Sequence, residues 1–349
     1  MKTAEETYKA TDANLSQVAE VRDLPRVAAH LEAARMAEED LSRLEAALPR
    51  LCAGAPPTLG AAAEHLLVAG GKRLRALLTL LSARAAGGSG GVALAVAAEL
   101  AHAATLLHDD VSDEGDVRRG RPTSRLLWSN AASVLAGDFL LTRALDLACG
   151  SGVPGALEEL IGVLRELVAG EALQISLRGS VDTTEADYRR VVEGKTASLF
   201  RWAARAGCRA GGGGVEMAES LGRYGWHVGI AFQLSDDALD FDADPQVFGK
   251  SLLQDLREGT LTLPVIRVLE KDADMKAELG RALAADEALP DSVAERIARV
   301  VRESGEVERV REEAAEEARV GAGHLATLPD SLYRRALEEV ALGLSERGR

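Results

Sequence analysis

Asp-Asp-x-x-Asp occurs twice in this chain, as DDVSD at 109–113 and DDALD at 236–240, each within a segment of helical patterning. On a helix, residues i and i+4 lie above one another on one face. Asp109 and Asp113 therefore share a direction, as do Asp236 and Asp240. Like charges so placed repel one another and weaken an isolated helix. Two such clusters call for a compensating cation. Mg²⁺ is the natural one, because it prefers oxygen and usually takes one or two carboxylates plus substrate phosphates. The fold must then hold two helices around a magnesium-bound diphosphate.

The rest of the chain agrees with a helical fold. Ala, Leu, Glu and Arg dominate its 349 residues, aromatic residues make up only 3%, and no run alternates with the period of a strand. From about residue 26, apolar residues recur at helical spacing. The pattern breaks at GAPP (54–57), GGSGG (87–91), GSGVPG (150–155) and GGGG (211–214), which read as helix–helix connections. We expect an all-α protein of about ten helices. A polar arm over 1–25 precedes a single helical domain over 26–349.

A formal net charge of −14 argues against nucleic acid as the main partner. Cys52, Cys149 and Cys208 are scattered, odd in number and lack metal-ligand spacing, as expected of thiols in a reducing compartment. No apolar run is expected to reach membrane-spanning length, and the first residues lack a signal-peptide pattern. The expectation is a soluble cytoplasmic protein with no transmembrane segment.

The segment leading into the first cluster, ELAHAATLLHDDVSD, places His102, Thr105, Asp109 and Asp113 within one narrow arc. A polar stripe through an Ala/Leu-rich helix suits the wall of a polar cavity, although a charged face alone is equally compatible with solvent. In FQLSDDALDFD, Gln233, Asp236, Asp237 and Asp240 repeat the arrangement. Asp240, Asp242 and Asp244 mimic the start of a calcium loop, but Pro245 and Ser251 stand where its glycine and glutamate are required.

Basic sites complement the acidic ones. In GGKRLRALLTLL, Leu74, Leu77, Leu78 and Leu81 form a core stripe, and Lys72 and Arg75 lie away from it at the helix start, where a phosphate is favoured. RRGRP supplies Arg118 and Arg119, whose forks match phosphate oxygens. GKT at 194–196 is not a nucleotide-binding P-loop, since Arg189 occupies its first glycine position; it offers Lys195 and Thr196 from a helix. Lys250 follows the second cluster.

In this order, GGKRLR, HDDVSDEGDVRRGRPT, GKT, FQLSDDALDF and GKS with DLREGTLTLP, the chain resembles the trans-polyprenyl diphosphate synthases. SNAASVLAGDFLLTRAL and GEALQ resemble the long-chain, octaprenyl type in particular. The resemblance implies a helical bundle around a deep central cavity, a homodimer, and magnesium-dependent condensation of isopentenyl diphosphate with an allylic diphosphate. By the same resemblance, Asp109, Asp110, Asp113, Asp236, Asp237 and Asp240 bind the metal, about three ions per site. Arg118, Lys195, Thr196, Gln233 and Lys250 would support the allylic substrate, with Lys195, Thr196 and Gln233 nearest the reacting carbon. Lys72, Arg75, His102 and Arg119 would hold isopentenyl diphosphate.

The family pattern often has glycine at Leu253 and lysine at Thr260, so the loop after the second cluster departs from it. Ala104 and Thr105, one turn before Asp109, are small where short-chain members often place aromatics. The first cluster also lacks the two-residue insertion of many bacterial short-chain members. Leu141 and Leu145 are the candidate floor, and the expected product is about C30–C50, with a membrane as its expected destination. Farnesyl or geranylgeranyl synthesis and a non-catalytic subunit are the alternatives. Non-catalytic subunits usually lose the aspartates, and terpene cyclases normally lack the second cluster.

Overall fold

Each glycine-rich break falls between two helices in the computed structural model, which describes residues 33–242, 253–285 and 289–345. Helix α1 (Glu38–Cys52) is joined by GAPP to α2 (Pro57–Leu67), and α3 (Leu74–Ala85) by GGSGG to α4 (Val92–Ser112). A short hairpin, β1 (Val117–Arg118) and β2 (Arg121–Pro122), leads to α5 (Ser124–Leu127) and α6 (Asn130–Gly150). GSGVPG connects α6 to α7 (Ala156–Leu177), followed by α8 (Glu185–Val192), a π-helical turn (Glu193–Ala197) and α9 (Ser198–Ala210). GGGG leads into α10 (Val215–Asp242). Then come α11 (Gln254–Arg257), α12 (Leu263–Lys271), α13 (Ala273–Leu283), α14 (Asp291–Glu303), α15 (Glu306–Gly323), a 3₁₀ turn (His324–Thr327) and α16 (Leu332–Ser345). The fold is all-α, with more and shorter helices than the expected ten.

Two apolar cores share α10 as their spine. Leu221, Tyr224 and Val228 belong to a core built with α3, α4, α6, α7 and α9. Leu234, Ala238 and Phe241, further along the same helix, belong to a second core with α12 and α14. A helix of 28 residues is about 42 Å long, enough to span both. Close crossings place its functional face: a Cβ on Gly229 would come within 2.6 Å of Ala197 Cα, so α10 and the end of the π turn meet backbone to backbone.

Helix α4 corrects one expectation. Its 21 residues are long and apolar enough by composition to cross a membrane, and 61% of that apolar window is buried within the protein. It packs on α3 and α6 as a core helix. The apolar character that the sequence carries there is consumed by packing.

Candidate active site

The first cluster ends α4. Asp110 is buried, and its carboxylate accepts a hydrogen bond from Arg118 on the hairpin. The hairpin turns at Arg119 (φ 52°) and Gly120 (φ 72°), both left-handed, as a two-residue type I′ turn requires. That turn sets Arg118 beside the aspartates and lays the Arg119 guanidinium against Gly71, where a Cβ would come 2.9 Å from Arg119 Nη2. Asp109 lies 3.6 Å from Lys195 Nζ, which also pairs with Glu171 at 2.6 Å. Asp113 pairs with Arg178.

The second cluster lies on the last turns of α10. Asp237 is buried; its Oδ2 accepts from Tyr188 Oη at 2.5 Å and its Oδ1 from Gln233 Nε2 at 2.8 Å. Gln233 Oε1 in turn accepts from Thr196 Oγ1 at 2.9 Å. A hydrogen-bonded chain thus runs Thr196, Gln233, Asp237, Tyr188. Asp236 is exposed and Asp240 half-buried.

The two clusters are built alike. The second aspartate of each trio, Asp110 and Asp237, is buried and held by donors from elsewhere in the fold. The i, i+4 pairs Asp109/Asp113 and Asp236/Asp240 remain the more accessible carboxylates. Asp110 and Asp237 anchor each cluster to the rest of the fold, while Asp109 and Asp113 pair with Lys195 and Arg178.

GKT does not form the regular helix expected. Residues 193–197 make a π turn, the wider turn often found at functional sites. It fits against α7 only because both partners lack side chains. A Cβ on Gly170 would come 2.8 Å from Lys195 N, and one on Gly194 would come 2.8 Å from Glu166 O. This contact sets Lys195 between Asp109 and Glu171.

A cavity of about 190 Å³ joins the two clusters, lined among others by Asp113, Arg178, Lys195, Thr196, Gln233 and Asp237. Asp255, Glu258 and Thr260 close it from the loop after the second cluster. Leu253, the first described residue after the second cluster's helix, has φ 62°, the left-handed conformation that glycine adopts freely, and its side chain is buried in the second core. The departure from the family pattern is thus accommodated without altering the backbone that glycine would favour.

On the other side of the first cluster lies a nest of cations. Burial pushes His102 well below the usual imidazole range, with Arg75, Arg119, Arg118 and Arg73 adding to the effect. Arg75 sits 4.5 Å above the Phe200 ring with its Nε unpaired, and burial brings it down to about 10, partly opposed by Glu99 and Asp236. Lys72 is exposed at the helix entrance. Arg73, not singled out in the sequence, is structural: it pairs with Glu45 and Glu99, while Glu99 Oε1 accepts from Ala76 N at the start of α3.

The carboxylates fit a divalent cation. Burial is the first cause of both shifts that follow. It pushes Asp109 up to about 6 despite Lys195 and Asp237 to about 7, with Asp255 adding to the latter. Such groups are short of positive charge, and a metal ion reverses that balance. Among the described residues no three carboxylate, imidazole or thiol side chains form a ready-made metal cage.

Thr105 is half-buried one turn before Asp109, and its Oγ1 donates to His102 O at 2.8 Å. Ala104 is a correction. It is fully buried, and its carbonyl oxygen would lie 3.1 Å from a Cβ on Gly137, so it packs against α6 and does not border open space. Leu141 and Leu145 lie half-buried on α6 against the first core. Lys250 and the arm at 1–25 lie outside the described residues. Arg178 and Tyr188 were not singled out in the sequence, since neither belongs to a spaced motif; Glu171 lies in GEALQ, which the sequence marked only as a subgroup resemblance and not as a partner of Lys195.

The polyprenyl synthetase family profile matches residues 56–300, which hold every motif of the site. The chain belongs to this family. This polyprenyl synthetase is 38% identical to the octaprenyl diphosphate synthase of Escherichia coli (strain K12) over 275 residues, 78% of this chain and 85% of that one. Among solved structures it resembles a polyprenyl synthase from Caulobacter crescentus CB15, complexed with calcium and isoprenyl diphosphate. The TM-score is 0.86 at 36% identity, covering 91% of this chain and 98% of that one. A decaprenyl diphosphate synthase from Rhodobacter capsulatus gives a TM-score of 0.85 at 37% identity, covering 92% and 99%.

Proposed function

We propose that this polyprenyl synthetase condenses isopentenyl diphosphate head-to-tail with an allylic diphosphate, releasing diphosphate and lengthening an all-trans chain to about C30–C50. The observation that carries this reading is one cavity bordered by both aspartate clusters, with a separate cation nest beside it. The long-chain relatives support the product class.

Asp109, Asp113, Asp236 and Asp240 would hold Mg²⁺, about three ions per site. Bound there, magnesium would act as a Lewis acid on the allylic diphosphate and make it a better leaving group. Lys195, held by Asp109 and Glu171, and Arg118, held by Asp110, add fixed positive charge for the same group, with Lys250 as a further candidate. Thr196 and Gln233, locked together, present dipoles but no strong nucleophile to the allylic cation. Lys72, Arg75, His102 and Arg119 orient isopentenyl diphosphate so that its double bond attacks. The proton lost from the new chain passes to an oxygen of the departed diphosphate, so no protein base is needed.

Val134 and Leu135 on α6, and Ile161, Val168 and Ile175 on α7, are large apolar side chains exposed on neighbouring helices. Val168 is 69% exposed. This supports burial of the face in a homodimer. We place the protein in the cytoplasm, with its product passed to a membrane.

The test is turnover of purified protein with Mg²⁺, isopentenyl diphosphate and farnesyl diphosphate, with product length read out. Condensation that stops on chelation of the metal is expected; absence of condensation overturns the reading. Within that assay, Lys72→Ala and Arg75→Ala should each raise the KM for isopentenyl diphosphate about tenfold, the worth of a charged hydrogen bond. The KM for the allylic substrate should change far less. The reverse pattern would refute the two-site map.

A further inference from the structure

The cations lining the cavity, among the described residues, are Lys195 and Arg178. Lys195 is committed to Asp109 and Glu171. Arg178 is the residue at which α7 ends, where the chain turns from helix to extended backbone (ψ 129°). Its Nη2 donates to Asp113 and its Nη1 to Ser112 O at 3.1 Å, at the carbonyl end of α4. Its stem runs along Gly259, where a Cβ would lie 3.4 Å from Arg178 Cγ, and Gly179 N donates to Gly259 O at 2.8 Å. Arg178 therefore ties the first aspartate cluster to the loop that follows the second.

This pose leaves polar groups unsatisfied. Among the described residues, Arg178 Nε and Thr260 Oγ1 are both buried without a hydrogen-bond partner, and both residues line the same cavity. A buried hydrogen bond left unmade is costly, so the arrangement favours a ligand rich in oxygen acceptors. The guanidinium is also placed where a change of partner is easy. It is 28% exposed, and the carboxylate it holds, Asp113, is one that a divalent cation would claim. Asp113, Asp237, Asp255 and Glu258 make the cavity wall acidic, and a bound diphosphate would compete with these carboxylates for a guanidinium that loses Asp113.

We propose that Arg178 is a ligand of the allylic diphosphate in this chain, its pairing with Asp113 giving way to phosphate oxygens when a divalent cation takes that carboxylate. The proposal rests on the prenyl-transfer reading and deepens it. It assigns to the end of α7 a substrate contact that none of the spaced motifs supplies, and it couples metal binding at Asp113 to the grip on the diphosphate.

The experiment measures binding of farnesyl thiolodiphosphate, a slowly ionising allylic analogue, by calorimetry in the presence of Mg²⁺, and of Mg²⁺ alone. The proteins are the wild type, Arg178→Met, which keeps the stem along Gly259, and Arg178→Met with Thr260→Lys. Arg178→Met should bind the analogue about tenfold or more weakly. It should bind Mg²⁺ alone no more weakly than the wild type, because a competitor for Asp113 is gone. Lysine at 260, on the same wall, should recover most of the loss. The KM for isopentenyl diphosphate should stay within about twofold. Analogue affinity within about twofold of wild type in Arg178→Met, or parallel loss of Mg²⁺ and analogue binding, overturns the proposal while wild-type turnover leaves the prenyl-transfer reading standing. A wild type that neither binds the analogue nor turns over overturns both.

Discussion

Asp109→Ala and Asp236→Ala should each lower turnover by at least about 10²-fold, the scale for losing a main element that stabilises charge as it develops in the transition state. The two residues sit on different helices, Asp236 exposed and Asp109 half-buried, and neither belongs to the apolar cores. Asp109→Ala also removes one of the two carboxylates that hold Lys195, leaving Glu171 to keep it in place. The melting temperature should therefore change little while turnover collapses. Asp237→Ala should behave differently, because it strands the buried Tyr188 hydroxyl and the Gln233 amide; a loss of roughly 1–3 kcal/mol of stability is expected alongside the loss of turnover. Steady-state rates and thermal unfolding of the three variants check this. Near-normal turnover in Asp109→Ala or Asp236→Ala, with the fold intact, would sink the assignment of the clusters.

Thr105→Phe should shorten the product from about C30–C50 towards about C15–C20 while preserving the rate of the early condensations. Thr105 is one helical turn, about 6 Å, before Asp109, so a chain growing away from the metal site must pass that level. The threonine is half-buried, and a phenyl ring there narrows the path without touching a carboxylate. Ala104→Phe, equivalent on sequence grounds, is not equivalent in the structure. Ala104 has no exposed surface and lies in the contact between α4 and α6, so the ring would overpack the core at a cost of about 1–3 kcal/mol. Chromatography of the dephosphorylated products separates the outcomes. An unchanged long product from Thr105→Phe, or a wild type that stops at about C15, would show that the tail takes another route.

The contrast between these two neighbours marks the boundary between what the sequence determined and what the tertiary structure decided. Helical periodicity and the glycine breaks placed the connections, because both are local properties of backbone and side chain. The i, i+4 carboxylate pairs followed in the same way, from the pitch of one helix. Which aspartate of each trio would be an anchor could not be read locally. Asp237 is held by Tyr188, 49 positions away, and Asp110 by Arg118, which only the hairpin turn brings back against the helix. The π turn at 193–197 likewise depends on Gly170 and Gly194 meeting across two helices, which no spacing in GKT reveals. Helix α4 carries its apolar sequence whether it faces lipid or protein; only the packing of α3 and α6 around it shows which surface that sequence meets. Short-range geometry therefore supplied the reacting groups, and long-range contacts decided which of them are fixed and which are left accessible to a ligand.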